Sequence, residues 1–510
     1  MLKPPLEIEL KLGASPEVIE RIGDDPTLRG EAEGPGAAKA LDATYFDTAD
    51  RRLSRRGIAL RVRREGGRTI QTIKADARNL GGLSARSEWQ WPIRRKTPDL
   101  GVIDAPDARA ALGDLTETAL APYYATRVDR RVLTVAHRAS RIEIAIDRGT
   151  VIAGDRHQPI TEIELELLDG REVDLYDLAL DLADRYPLAI EPRSKAARGA
   201  ALADGRIPAA VFRKPAKLER GLPVDDLIAW IMGDCLAHFT ENVAAAADGR
   251  DVEGVHQARV ALRRLRSAFA QLRDFLMGPA VDQLKQDART LAAALGPARD
   301  LDVFLTETLP PLAGVTERPA LAALARRAES ARAEAYAGVR AVLGGPEAAR
   351  FALRLGYWIA DRTWRLDVRP ALLAGPVETT ARSVLTRRFR KLRHIGRDFE
   401  TMTTAQRHEV RIELKKLRYA VDFFGGLFPG RARDRFSKRL KAMQDDLGFL
   451  QDAAVTGHLL DRLDDGAGDP AFAEGRGLVE GWLAHRLAAA NEGVVADWRA
   501  LAKAAPFWHD

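Results

Sequence analysis

The sequence has very little of what marks a secreted or membrane-embedded protein. One cysteine, Cys235, occurs in 510 residues, so no intramolecular disulfide can form and a reducing compartment suits the chain. Its surroundings read as the apolar face of a helix. No run of 18 or more apolar residues occurs, so no membrane span is expected. The opening Met1-Leu2-Lys3-Pro4-Pro5 has no apolar signal core, and a cytoplasmic location is expected. Charge of one sign is not in large excess either. Lys and Arg number 79 against 73 Asp and Glu, a formal net charge of +6. That surplus is small for the length, so any argument for an anionic partner has to come from local clustering. The chain is too long for one ordinary core, and two or more domains are expected.

What is present is a recurring two-residue alternation. Glu7, Glu9 and Lys11 share one face of a strand, with Ile8, Leu10 and Leu12 on the other. Arg61 and Arg63 alternate with Leu60 and Val62; Thr72 and Lys74 flank Ile73. Arg141, Glu143 and Asp147 alternate with Ile142, Ile144 and Ile146; Glu162, Glu164 and Glu166 alternate with Ile163, Leu165 and Leu167. Taken singly, each could be a solvated edge strand. Like charges on neighbouring same-face positions repel, which is tolerable in water or where counter-charges sit between strands. An antiparallel barrel with charged faces inward and an apolar outside covered by helices meets the second condition. Its acidic strands would suit a hard divalent cation, its basic strands a phosphate-rich anion.

Residues 7–11 fit a Glu-x-Glu-x-Lys signature. They are followed in order by Tyr45-Phe46-Asp47-Thr48, Leu60-Arg61-Val62-Arg63, Lys74, Glu88, Asp147, the 162–166 carboxylates and Arg193-Ser194-Lys195. Over residues 1–205 this set resembles the CYTH, or triphosphate tunnel metalloenzyme, family. Gln90 stands where a second carboxylate often follows Glu88. The resemblance implies a tunnel of about eight strands with flanking helices, hydrolysing inorganic triphosphate with Mg²⁺ or Mn²⁺. Glu7, Glu9, Lys11 and Asp147 would be catalytic, with a structural role for Asp147 left open. Glu7, Glu9, Glu162, Glu164 and Glu166 would hold the metal; Lys11, Arg61, Arg63, Lys74, Arg193 and Lys195 would hold the substrate.

Along this half, helices are expected at 15–24, 106–120 and 172–185, a loop at 30–39, and strands at 41–47, 58–64, 68–75, 86–93, 123–135, 141–148 and 159–168. The 68–75 and 86–93 strands would be joined by the Asn79-Leu80-Gly81-Gly82 turn. Trp89 and Trp91 are expected to cover the barrel. Pro208, Pro215 and Pro223 mark a linker at 206–222.

Beyond it, 223–510 is rich in Ala, Leu and Arg with helical periodicity. Breaks are expected near 249–254, 277–280, 296–300, 309–318, 343–347 and 366–377. His256, Arg259, Arg263, Arg264 and Arg266 recur 152 residues later as His408, Arg411, Lys415, Lys416 and Arg418. Arg289 matches Lys441, Leu295-Gly296 matches Leu447-Gly448 and Asp300 matches Asp452 at the same offset, as in a duplicated unit. At about 100° per residue, His256, Arg259, Arg263 and Arg266 fall within an arc of roughly 80°, and so do their counterparts. Each half, about 223–366 and 377–508, therefore carries a basic stripe, read either as a solvated face or as a polyanion surface; the histidines could instead cap or line the core. The stripes lack interleaved aromatics, which argues against nucleic acid. These residues, with Arg299-Asp300 and Gln451-Asp452, resemble the CHAD domain, and the resemblance implies binding of inorganic polyphosphate and possible association with polyphosphate granules. The expected architecture is therefore multidomain α+β, an antiparallel barrel followed by an all-α duplicated bundle. Alternatives are a polyphosphate-targeting protein with little catalysis and an adenylyl cyclase, which also occurs among CYTH proteins. Trp230, Trp358, Trp364, Trp482 and Trp498 are expected in helix-packing cores, and the 387–393 basic run on a solvated face.

Overall fold

The period-two pattern folds into eight long strands: β1 (Leu6–Gly13), β2 (Ala37–Asp47), β3 (Ala59–Glu65), β4 (Arg68–Leu80), β5 (Leu83–Ile93), β6 (Ala121–His137), β7 (Ser140–Ala153) and β8 (Arg156–Asp169). The computed structural model describes residues 6–80, 83–213, 218–314 and 318–509, with side chains for all of these except 76–80, 404, 449–452 and 488–492. All neighbours pair antiparallel in the order β5-β4-β3-β2-β6-β7-β8-β1, and β1 pairs back onto β5, closing a barrel. A two-residue strand, β9 (Ala189–Ile190), pairs with the end of β1. Closure leaves no open edge among the eight strands.

The apolar faces point outward and are covered. Leu10, Leu12, Ile144, Ile163 and Leu165 are buried with Ile19 and Ile22 of the helix Pro16–Gly23 and with Leu175, Leu178 and Leu182 of the helix Glu172–Arg185. Each such side chain contributes about 1.5–3 kcal/mol when fully buried. Ser15 caps the first of these helices by accepting from the Val18 amide, and Pro16 opens it. Trp89 and Trp91 pack with Leu60, Ile73 and Leu112 on another flank, as expected of covering residues.

The interior is not charged throughout. Leu41, Tyr45, Tyr124, Val128, Val151 and Ile160 form an apolar cluster with Ala196 and Ala200 of the helix Lys195–Ala203. That helix and β9 were not expected from the sequence. The predicted helix at 106–120 is shorter: it runs Pro106–Leu112 and stops at Gly113, whose φ of 68° suits glycine, leaving a single 3-10 turn at Glu117–Ala119. The 30–39 loop is also overturned in part, because Pro26–Glu31 is helical and β2 already begins at Ala37. Backbone pairing of 37–40 with Asp129–Val132 decides this against a run that is weak in β-formers. Gly81 and Gly82 of the expected turn lie outside the described residues. Arg141, at the start of β7, is exposed and paired with Glu33, beside a register irregularity in the β7–β8 pairing.

Two compact units are distinguished. One comprises residues 1–211, 236–254 and 340–361; the other comprises 212–235, 255–339 and 362–510. In the first, the helix Pro346–Ala360 packs on Glu172–Arg185, with Gly356 against the Tyr176 ring where a β-carbon would sit 2.2 Å from a ring atom. The second is built from helices. Its basic stripes lie on Glu253–Gln271 and Thr404–Phe424. The two halves differ downstream: a helix ends at Ala294 and restarts at Gly296-Pro297, whereas Leu447-Gly448-Phe449 runs uninterrupted within Arg431–Leu463. Pro297 lacks an amide hydrogen and clashes with the preceding turn, which explains the break. Further breaks, at 396–403, 425–430 and 464–469, were not anticipated. Cys235 is buried in Val224–Asp248, and burial pushes its thiol up to about 12. Trp358, Trp364 and Trp498 are buried and Trp482 is partly so, but Trp230 is 37% exposed, contrary to expectation. The 387–393 run is likewise not a simple solvated face, because Arg388 is buried and donates to Gln271 and the Ala270 carbonyl. No helix among the described residues is long and apolar enough to cross a membrane.

Candidate functional site: a charged tunnel and two basic helices

Strand register brings the charged faces together inside the barrel. β1 sets Lys11 opposite Glu164, β7 sets Asp147 opposite Glu162, and β6 sets Arg130 opposite Asp147. The Lys11 ammonium lies 2.6 Å from both Glu9 and Glu164. Lys195, first residue of its helix and placed by the Ser194 N-cap, lies 2.6 Å from Asp147 and 2.9 Å from Glu164, and also pairs with Glu162. Arg130 donates two 2.7 Å bonds to Asp147 and a 2.5 Å bond to Glu164. Arg198, one helical turn after Lys195, sits 2.8 Å from Glu162.

This wall is a largely buried ion-pair lattice. Asp147 and Glu162 are fully buried and Glu164 is 8% exposed. Burial works to raise the Glu164 carboxyl, but Lys11, Lys195 and Arg130 outweigh it and hold it well below the usual carboxylate range. Burial disfavours charge on Lys195, and Glu164, Glu162 and Asp147 reverse that, holding it above the ordinary lysine value.

The opposite wall alternates signs less evenly. Lys74 lies 2.7 Å from Glu7 and from Glu88, and Arg86 is 2.9 Å from Glu7 and also pairs with Glu9. Burial opposes ionisation of Glu88, yet Lys74 and Arg61 hold it at about 2. Glu166 behaves oppositely: burial, then Glu7 and Glu143, push it up to about 7. Burial and the neighbouring Arg61 lower Arg63. Between the walls lies a cavity of about 190 Å³. Lys11, Arg61, Arg63, Lys74 and Lys195 all line it, as do Glu7, Glu164 and Glu166.

The remaining expected residues are placed differently. Glu9, Glu162 and Asp147 are buried in the wall and are not among the cavity-lining side chains. Arg193 is held by Glu191 through bonds of 3.0 Å and does not line the cavity. Gln90 donates to Glu88. Asp147, Glu162 and Glu164 each offer an oxygen within 4.8 Å of the others, so Asp147 joins the acids named from sequence for a metal. Arg86, Arg130, Glu143 and Arg198 were missed. Arg86 shares the Glu88 face and Arg130 the Val128 face, so alternation could have found both; Arg198 was hidden because its helix went unread.

In the helical unit the stripes are unequal. His256 is half-buried, and burial followed by Arg299, Arg263 and Arg259 drives it down to about 3. Arg259 donates to the Ala292 carbonyl; Arg266 and Arg289 are exposed. His408 is exposed, whereas Arg411 and Lys415 are half-buried. Several motif cations have local partners. Arg264 is buried 2.7 Å from Asp234 and faces the Phe423 ring at 5.6 Å. Lys416 pairs with Glu413 at 2.6 Å, Arg418 donates to Gln444 at 2.9 Å, and Lys441 pairs with Asp445. The Gln451 and Asp452 side chains lie outside the described residues.

The chain thus combines a closed antiparallel barrel, its lumen lined by acids and bases, with a helical unit that carries two basic helices. The CYTH domain family matches residues 5–200 and the CHAD domain family residues 231–461. The chain belongs to both: it is a CYTH domain followed by a CHAD domain. An inorganic triphosphatase of Haemophilus influenzae is 32% identical over 194 residues, which is 38% of this chain and 54% of that protein. The chain thus spans about half the length of this curated relative. The crystal structure of the CHAD domain from the plant Ricinus communis is similar with a TM-score of 0.51 at 31% identity, covering 57% of this chain and 97% of that one.

Proposed function

We propose that the barrel hydrolyses the phosphoanhydride bonds of inorganic triphosphate with Mg²⁺ or Mn²⁺, and that the helical domain binds inorganic polyphosphate. The domains would span 1–205 and 223–510 with a linker between. One observation carries the hydrolytic reading: five cations from β1, β3, β4 and the Lys195 helix converge on a small cavity backed by buried carboxylates. Phosphoryl transfer needs mainly positioning and charge stabilisation. Lys11, Arg61, Arg63, Lys74 and Lys195 would grip phosphate oxygens. Arg130 and Asp147 would hold Lys195 and Glu164 in register. The oxygens of Asp147, Glu162 and Glu164 suit a hard divalent cation, and the Lys195 ammonium already sits among them. Glu7, Glu9 and Glu166 extend the acidic wall. A bound ion would neutralise phosphate charge and activate water.

The test is phosphate release from triphosphate, ATP, thiamine triphosphate and long polyphosphate, compared with Mg²⁺ and with Mn²⁺. Triphosphate should be turned over fastest and chelation should stop it. Turnover of none of them, with polyphosphate binding intact, would leave a binding protein.

The stripes add a pH dependence. His256 is neutral at pH 7 because burial and three arginines disfavour its cation. A polyanion laid on that stripe would favour the protonated form, raising its pKa in the complex. Polyphosphate binding should therefore take up a proton and strengthen as pH falls from 7 to 5. Titration calorimetry in buffers of different ionisation enthalpy reads that proton, and His256→Gln should abolish the uptake.

A further inference from the structure

One feature of the barrel interior lies outside the charged walls. Tyr45 and Tyr124 face each other across the β2–β6 pairing, stacked with ring centroids 4.6 Å apart at 21°. Tyr45 lines the cavity and stands opposite Arg61, another lining residue, in the β2–β3 pairing. The Tyr124 hydroxyl donates to the Ala196 carbonyl at 3.0 Å, inside the first turn of the helix Lys195–Ala203. Its ring occupies the space at Gly199, where a β-carbon would meet it at 2.2 Å. Beside it, the Tyr123 hydroxyl donates to the Ala200 carbonyl at 3.2 Å. The ring and its hydroxyl thus set the height and rotation of a nine-residue helix, and Lys195 and Arg198 are the only two charged side chains on that helix.

We propose that Tyr124 is a positioning residue that seats the Lys195–Ala203 helix so that the Lys195 ammonium reaches Asp147, Glu162 and Glu164, and that the Tyr45 stack ties this seating to Arg61. The proposal rests on the triphosphatase reading for its effect on turnover, but not for its effect on the helix. Two features make the arrangement sensitive. The helix is short, so packing rather than its own hydrogen bonds fixes its position. The Lys195 side chain meets three carboxylates at once, so a displacement of about 1 Å breaks contacts that cannot all re-form.

The experiment uses the full chain. Tyr124→Phe removes one hydroxyl and keeps the ring; Gly199→Ala keeps the hydroxyl and pushes the helix off the ring. Hydrogen exchange at 195–203 should quicken at least about tenfold in both variants, with the β7 and β8 amides unchanged. The kcat for triphosphate should fall about tenfold in Tyr124→Phe, while in a Lys195→Ala background the same change should have no further effect. Unchanged exchange at 195–203, or effects of Tyr124→Phe and Lys195→Ala that simply multiply, would overturn the proposal. If the unsubstituted protein releases no phosphate, the triphosphatase reading fails and the exchange result alone decides the positioning claim.

Discussion

Glu164→Gln should reduce phosphate release from inorganic triphosphate by at least about a hundredfold, the scale seen when one aligned charge-stabilising group is lost. Glu164 is the carboxylate at which the wall converges: Lys11, Lys195 and Arg130 all bond to it. Neutralising it leaves three buried or half-buried cations short of a partner. The substitution is nearly isosteric, so packing is retained and the deficit is electrostatic. Removing one member of a buried pair costs about 3–5 kcal/mol, so the thermal midpoint should fall as well. Steady-state kinetics with a folded, circular-dichroism-checked variant separates the two effects. Turnover within a factor of two of the unsubstituted protein would remove Glu164, and the metal triplet with it, from the mechanism.

The second large effect belongs to the helical domain. The quadruple variant Arg263→Ala, Arg266→Ala, Lys415→Ala, Arg418→Ala should bind long-chain polyphosphate about a thousandfold more weakly. The figure takes ~1 kcal/mol for each contact, below the roughly 1.5–3 kcal/mol of a hydrogen bond to a charged group, because solvent screens contacts at half-buried and exposed side chains. These four residues come from both repeats, and Arg266 is exposed while the other three are half-buried. Arg264→Ala serves as the contrasting substitution, because Arg264 is spent on Asp234 and Phe423. It should lower stability and leave binding within a few-fold. The salt dependence of binding should flatten in the quadruple variant and not in the contrasting one. Equal affinities for the quadruple variant and the unsubstituted chain would refute the assignment of the stripes.

Much of the site could be read without coordinates because a strand's period of two is rigid. Once Glu7, Glu9 and Lys11 share a face, the only open matter is which face is inside, and Ile8, Leu10 and Leu12 favour the outside against covering helices. The same logic reached Arg61, Arg63, Lys74, Glu162, Glu164 and Glu166. It did not foresee that Arg141, at the start of β7, is exposed and paired with Glu33. It also missed Arg198: Arg193-Ser194-Lys195 reads as a motif, but the helix it opens is only nine residues long and Ala-rich. In the helical domain the stripes were visible as a repeat, but not the local partners of Arg264, Lys416 and Lys441, since those lie on other turns or other helices.

The strands, their inward charges, the duplicated basic helices and hence a barrel followed by a helical domain can all be read along the chain. All of these follow from periodicity, which is a property of neighbours along the chain. Which charges meet depends instead on how the strands and the Lys195 helix come together in the fold. That packing placed Asp147 with Glu162 and Glu164, put Lys195 among them, and buried one end of the lumen under two tyrosines and a short helix. Pairing register and the seating of that helix are fixed by contacts between residues far apart in the chain, and no local pattern encodes them.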